Sequence, residues 1–301
     1  MATRRIMLLG ANGQVGQALR AEPLPADWEL RPYARQELDI TDHMAVQAAM
    51  HDYRPDVIIN PAAVTNVDAA QHDPQLALAV NFDAIANFAA QCSAMDIPFI
   101  HLSTDYVFDG RDGEVPYKPD DKVNPINIYG DSKFMGEEAL RHELAWHVIL
   151  RVSSVFSVFS KNLLTGILGS IDTQDEIRAA EDQICAPTYA PDIAKGILAI
   201  VSAILKGQHN IYGTYHLCGT PAVTRLEFVQ TIMDAYAPYT QKRPRITPVS
   251  VHDTQGKAPR PAYSVMDCAK TQAVFGVVQR DWRIGLGEAL EALMQKRRNT
   301  A

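Results

Sequence analysis

Ile6-Met7-Leu8-Leu9-Gly10-Ala11-Asn12-Gly13-Gln14-Val15-Gly16 decides the fold. Four apolar residues run into a glycine-rich turn, after which Gln17-Ala18-Leu19-Arg20 opens a helix. Strand, glycine turn and helix in that order begin a dinucleotide-binding unit. The three glycines have separate uses: a tight turn, close approach of the backbone to a pyrophosphate, and close packing of helix on strand. The spacing is G-x-x-G-x-x-G, one residue longer than the common form. Gly10, Asn12, Gly13, Gln14, Val15 and Gly16 are therefore the first candidate cofactor contacts.

The pattern continues outward from this turn. Residues 29–34 predict a second strand that closes on Tyr33-Ala34-Arg35. An acidic residue there would hold the ribose 2′-hydroxyl of NAD, whereas Arg35 suits a 2′-phosphate, which favours NADPH with NADH as the alternative. Leu38-Asp39-Ile40-Thr41-Asp42 predicts a strand end running into a helix capped at Thr41 or Asp42. Residues 56–60 predict a buried strand, and the small Ala62 and Ala63 after it let the backbone lie flat against a ligand. A long helix is predicted over 75–95, with Val80, Ala84, Phe88 and Cys92 on one face. Asn81 on it is either a surface amide or a structural group beside the cofactor. Phe99-Ile100-His101-Leu102 is the next strand, ending in Ser103-Thr104-Asp105-Tyr106, and 147–152 gives another. Polar groups at the carboxyl end of a parallel strand are where such sheets bind ligands.

Residues 1–155 thus predict a Rossmann-type, doubly wound parallel α/β sheet, completed by part of 190–220. Residues 156–301 predict a smaller C-terminal α/β domain for substrate. There the pattern gives a short strand at 177–179, a polar loop at 182–188, a helix over 191–206 and a strand at 212–218. Thr224-Arg225-Leu226-Glu227 is a capping box opening a helix to about 236. Residues 238–262, rich in proline and basic residues, predict loop or extended chain, and a last helix spans 286–297.

Composition excludes several functions. With 28 Lys and Arg against 35 Asp and Glu, the net charge of −7 and the lack of a long basic run argue against nucleic acid or an anionic membrane. Cys92, Cys185, Cys218 and Cys268 lie far apart without C-x-x-C, as reduced packing thiols do, and no metal site is expected. Neither a signal peptide nor an apolar run long enough to span a membrane is expected, so the sequence predicts a soluble, cytoplasmic protein.

Tyr129 and Lys133 stand four apart where the run 132–140 predicts a helix, which places both side chains on one face. A cation beside a phenol would lower its pKa and fit it for proton transfer near neutrality. Glycine turn, Ser-Thr-Asp and Tyr-x-x-x-Lys can converge at the carboxyl ends of the strands.

That constellation resembles the extended short-chain dehydrogenase/reductases, and within them the dTDP-4-dehydrorhamnose reductase family, over essentially the whole chain. The residues carrying it are the glycine turn, Glu37-Leu38-Asp39-Ile40-Thr41, Thr65-Asn66-Val67-Asp68-Ala69-Ala70, Ser103-Thr104-Asp105-Tyr106-Val107-Phe108-Asp109-Gly110, Asn127-Ile128-Tyr129-Gly130-Asp131-Ser132-Lys133, Ala186-Pro187-Thr188 and Arg260-Pro261. The resemblance implies hydride transfer from NADPH to the C4 carbonyl of a dTDP-linked 4-keto-6-deoxyhexose, completing dTDP-L-rhamnose. Tyr129 would be the general acid, Lys133 would hold the nicotinamide ribose, and Thr104 would hydrogen-bond the carbonyl, with Asp105 joining the catalytic group. Asp39 and Ile40 would lie near the adenosine, Ala62, Ala63, Thr65 and Ser103 along the cofactor, and Val67, Asp105, Tyr106, Asn162 and Arg260 toward the sugar nucleotide.

The chain departs from the family where Ser154 replaces a usual tryptophan and Tyr263 a usual asparagine. Pro191 stands where some members carry a glutamate tied to a metal at a dimer interface, which leaves a homodimer open but not a metal-bridged one. Three alternatives accompany the resemblance: a nucleotide-sugar epimerase or dehydratase of the same superfamily that recycles its bound cofactor, against which Thr104-Asp105-Tyr106 stands in place of Thr-Asp-Glu; reduction of another nucleotide-linked 4-keto-6-deoxy sugar; and a non-catalytic NADP-binding regulatory subunit.

Overall fold

In β1 (Arg4–Leu8), Ile6 and Leu8 enter one hydrophobic core and Met7 another, because successive side chains of a strand face opposite ways. The computed structural model describes residues 3–111, 113, 115–253 and 257–300. After β1 come α1 (Gln14–Ala21), β2 (Trp28–Pro32), α2 (His43–Tyr53), β3 (Val57–Asn60), α3 (Val67–His72), α4 (Pro74–Leu78), α5 (Ala84–Met95), β4 (Phe99–Thr104), α6 (Ile128–Glu143) and β5 (His147–Val152). The second half contains β6 (Val155–Phe156), α7 (Leu163–Thr173), β7 (Glu176–Ala180), β8 (Ile184–Cys185), β9 (Thr188–Tyr189), α8 (Ala190–Leu205), β10 (Gly213–Leu217), β11 (Val223–Thr224), α9 (Arg225–Tyr236), β12 (Arg245–Val249), α10 (Ala269–Phe275) and α11 (Trp282–Thr300).

Six strands pair in the order β10-β5-β4-β3-β1-β2, every pair parallel. On one face Ile6, Leu8, Val57, Ile59, Ile100 and Leu150 pack against α1 and α8. On the other, Met7, Ile58, Phe99 and Ile149 pack against α2, α5 and α6. Coverage of both faces explains why these strands read as unbroken apolar runs. Each such side chain contributes about 1.5–3 kcal/mol when fully buried. The strand order reverses at β1, and a crevice opens there above the carboxyl ends of the strands.

A smaller core gathers Phe156, Leu164, Ile171, Phe228, Ile232, Tyr236 and Trp282 around α7, α9 and α11. The parallel pair β7–β12 lies at its edge. Both α7 and α9 open with capping boxes, Asn162 with Thr165 and Thr224 with Glu227.

Several local expectations change. Leu38–Ile40 is not strand, because Asp39 turns back to accept bonds from Thr41 N–H at 3.0 Å and Thr41 Oγ at 2.8 Å. Asp42 is the α2 cap, accepting from Ala45 N–H at 3.0 Å. The helix expected over 75–95 is broken by a π turn, Ala79–Asp83, where Asn81 reaches sideways out of the helix. The six-residue α3 and seven-residue α10 are too short to show a period in sequence. The loop at 182–188 supplies β8 and β9, and 238–262 supplies β12, with 254–256 outside the described residues. The last helix begins at Trp282, before the expected 286.

Candidate active site

The glycine turn forms a cradle that side chains would fill. Gly10 has φ +59°, and a Cβ there would lie 2.9 Å from Ala62; at Gly16 it would lie 2.4 Å from the Gly10 carbonyl. Gly13 is the N-cap of α1 and offers no side-chain cap, so amide donors of the first turn remain open. Open amides at a helix N-terminus suit a pyrophosphate, and the turn fits that part of a dinucleotide. Asn12 offers its carbonyl to Gln17 Nε2 at 2.8 Å and to the Ser160 hydroxyl at 3.1 Å; Gln14 accepts from the Ser157 hydroxyl at 2.9 Å. Val15 is buried in the core.

The end of β2 is tied to this turn through Tyr33, which donates to the Leu8 carbonyl at 2.7 Å and accepts from Ala11 N–H at 3.0 Å. Arg35 just beyond is exposed, with Asp39 at 3.4 Å as its ion-pair partner. Ile40 is buried behind Asp39. After β3, Ala62 lies against Gly10 and Ala63 is half-buried, followed by the exposed Thr65 and the half-buried Val67 that opens α3.

Thr104 ends β4, and the short turn Asp105–Val107 follows it directly. The Thr104 hydroxyl acts on the Tyr129 phenol and lowers its pKa, and Tyr129 meets the Tyr106 ring edge-on with centroids 5.9 Å apart. Gly130 and Gly136 let α6 approach this close: a Cβ would lie 2.1 Å from the Tyr106 carbonyl at one and 2.3 Å from the Asn81 carbonyl at the other. Asn81 is buried and structural, accepting from Val64 N–H at 2.9 Å and donating to the Ser132 hydroxyl at 3.0 Å.

The expected lowering of the Tyr129 pKa is not found. Burial pushes the phenol above its ordinary range, the Asp105 and Tyr106 charges add to that, and only the Thr104 hydrogen bond opposes it. Lys133 exerts no such effect because its Nζ turns to His101 Nε2 at 2.9 Å. Burial pulls the Lys133 amine down to about 7, against the Glu137 charge. Tyr129 is therefore firmly protonated at neutral pH, as a proton donor must be.

The Asp105 carboxylate is buried, accepting from the Ser153 hydroxyl at 2.7 Å, the Thr104 hydroxyl at 3.1 Å and the Ser264 hydroxyl, and burial raises its pKa despite them. It orients Thr104. Ser103 is also buried, and its hydroxyl has no hydrogen-bond partner among the described residues. Asn162 is spent on structure: its oxygen accepts from Leu164 N–H at 2.9 Å, and its amide donates to the Ser157 and Phe159 carbonyls, both at 2.9 Å.

On the substrate side, Arg260 pairs with Asp68 at 2.8 Å, and the Ala258 N–H donates to the same carboxylate at 3.0 Å. Arg225, which sequence reasoning passed over as part of a capping box, carries a buried Nη1 without a partner among the described residues. Burial raises the Tyr106 phenol, while the charges of Arg225 and Arg260 pull it down. Ser154 has φ +44° and sits beside Cys185. Tyr263 packs into a core with Val107, Phe108 and Tyr117. Pro191 lies in the first turn of α8 beside Asp192, and Arg280 pairs with both Asp192, at 3.1 Å, and Glu288.

The profile of the RmlD substrate binding domain matches residues 4–295. The chain is 34% identical over 291 residues to a dTDP-4-dehydrorhamnose reductase of Sinorhizobium fredii, covering 96% of this chain and 98% of that one. It is similar in structure to a dTDP-4-dehydrorhamnose reductase of Bacillus anthracis solved in complex with NADP, with TM-score 0.87, 31% identity, and coverage of 96% and 99%. It is also 31% identical over 300 residues to methionine adenosyltransferase 2 subunit beta of Xenopus tropicalis, covering 95% of this chain and 87% of that one.

Proposed function

The chain belongs to the RmlD substrate binding domain family, and from that membership we propose that it reduces the C4 keto group of dTDP-4-dehydro-6-deoxy-L-mannose with NADPH, giving dTDP-L-rhamnose. The observations that carry this reading are Tyr129, its pKa raised by burial and lowered by Thr104, and the glycine cradle at the start of α1. The reduced nicotinamide, when bound, supplies the hydride. Thr104, oriented by Asp105, holds the C4 oxygen, and Tyr129 gives that oxygen its proton as the alkoxide forms. General acid catalysis of this kind contributes typically about 10²–10⁴ in rate. Lys133 holds the cofactor ribose from the next turn of α6.

Gly10, Gly13 and the α1 N-terminus hold the pyrophosphate, and Arg35 takes the 2′-phosphate. Arg260 and Arg225 grip the diphosphate of the sugar nucleotide, a task for which a guanidinium fork is suited. Thr65 and Val67 line the gap between the two ligands. Residues 1–155 with α8 and β10 form the cofactor unit and the remainder the substrate unit. Among the described residues no helix is long and apolar enough to cross a membrane.

The test mixes purified protein with NADPH and dTDP-4-dehydro-6-deoxy-L-mannose, following loss of the reduced nicotinamide and the sugar product together. The reading expects stoichiometric formation of dTDP-L-rhamnose. Likeness to the methionine adenosyltransferase subunit favours a second reading, a non-catalytic partner subunit. NADPH binding without any turnover would select it and overturn the first.

A further inference from the structure

Behind the reacting groups lie three buried side chains whose hydrogen bonds admit one arrangement of protons. Asn60 closes β3, and His101 faces it across the parallel register on β4. Both are 0% exposed, and Lys133 is 1% exposed. The Asn60 side-chain oxygen accepts from Ala62 N–H at 3.0 Å, which fixes the amide so that Nδ2 faces His101 Nδ1 at 3.3 Å. An amide nitrogen only donates, so Nδ1 must carry the lone pair and the neutral ring keeps its proton on Nε2. That Nε2–H points at Lys133 Nζ, 2.9 Å away. An ammonium has three donors and no acceptor. It would meet the ring donor to donor, whereas a neutral amine accepts.

Burial works in the same direction, holding the imidazole well below its ordinary value and pulling the amine down to about 7. The titratable groups acting on Lys133 are His101 from β4 and Glu137 on α6. Arg151 from β5 neutralises Glu137 at 2.7 Å, and the π turn packed on α6 presents the uncharged amide of Asn81.

We propose that His101 is a positioning residue: its Nε2–H, fixed by Asn60, stores Lys133 as a neutral amine in the cofactor-free protein, and binding of the nicotinamide cofactor draws one proton from solvent onto Lys133. The proposal rests on the reading that this chain binds a nicotinamide dinucleotide. Once protonated, Lys133 loses its partner in the ring, and its three donors become available to ligand oxygens. His101 thereby couples cofactor arrival to the charge that the site needs.

Two measurements test this. In the cofactor-free protein, the imidazole nitrogen resonances of His101, assigned by their loss in His101→Leu, should show protonated Nε2 and bare Nδ1. Titration calorimetry with NADP⁺ in buffers of different ionisation enthalpy should give uptake approaching one proton at about pH 8 and falling toward zero at about pH 6, the two sides of an amine near 7. Lys133→Met should abolish the uptake. His101→Leu removes the donor that favours the neutral amine, so the onset of uptake should move up by roughly one pH unit. A protonated Nδ1, NADP⁺ binding without proton uptake at about pH 8, or an unmoved onset in His101→Leu would each overturn the proposal. Failure to bind NADP⁺ at all would instead overturn the cofactor reading beneath it.

Discussion

At the scale of single residues, the chemistry depends on hydroxyls held by a buried carboxylate. Asp105 accepts from Thr104, Ser153 and Ser264, so removal of one partner leaves a buried charge short of a donor. Ser153→Ala should cost about 1–3 kcal/mol in denaturant unfolding. Thr104→Val should lower kcat roughly ten- to a hundredfold, about the worth of one hydrogen bond to a charged group, with NADPH affinity unchanged. Arg35 is exposed, and Asp39 is its ion-pair partner among the described residues, so it is placed to swing to a phosphate. Arg35→Ala should raise the Kd for NADPH about tenfold or more while leaving NADH binding as it was. Equal effects on both cofactors, measured by fluorescence titration, would remove Arg35 from the phosphate site.

At the scale of elements, α6 carries both Tyr129 and Lys133, and its seat on the sheet sets their positions. Two glycines bring it close, and the Glu137–Arg151 pair pins it to β5. Gly136→Ala would drive a methyl toward the Asn81 carbonyl and should cost about 1–3 kcal/mol with a drop in turnover. Burial alone would raise the Glu137 carboxyl, but the charges and hydrogen bonds of Arg151 and Arg141 overrule it and hold it below the ordinary value. A lowered pKa means stability that is present above the unfolded value of about 4.3 and lost as pH falls through the lower folded one. Glu137→Gln should therefore lose about 3–5 kcal/mol at neutral pH. The gap from the parent should close below about pH 4 in urea titrations. Much of this level was legible in sequence. The glycine turn, the apolar strands and the capping box at Thr224 follow from local chemistry alone. The π turn, α3 and the strand β12 did not, since the first arises from Asn81 reaching across to Val64 and the last from pairing with distant β7. His101 and Arg225 were hidden for the same reason: their meaning comes from neighbours far away in the chain.

At the scale of the whole molecule, residues 258–260 strap the C-terminal half across the cofactor half. Asp68 holds Ala258 and Arg260, and Asn127 donates to the Pro259 carbonyl at 2.9 Å. Gly110, with φ +77°, allows Pro261 and Ala262 to pack close by. The strap sets Arg260 where its charge acts on Tyr106. Arg260→Ala should raise KM for the sugar nucleotide by roughly ten- to a hundredfold, the worth of a lost charged hydrogen bond, and leave NADPH affinity unchanged. The overall sheet was legible from its alternating pattern, whereas the assembly of the cavity from both halves needed the three-dimensional contacts. The central claim is that Tyr129 delivers the proton to the reduced carbonyl. Its most direct test compares kcat in Tyr129→Phe and the parent, with the Kd for NADPH measured on the same samples. Loss of about 10²–10⁴ in kcat at unchanged Kd is the predicted result. Turnover at the parent's rate in the phenylalanine variant would contradict it.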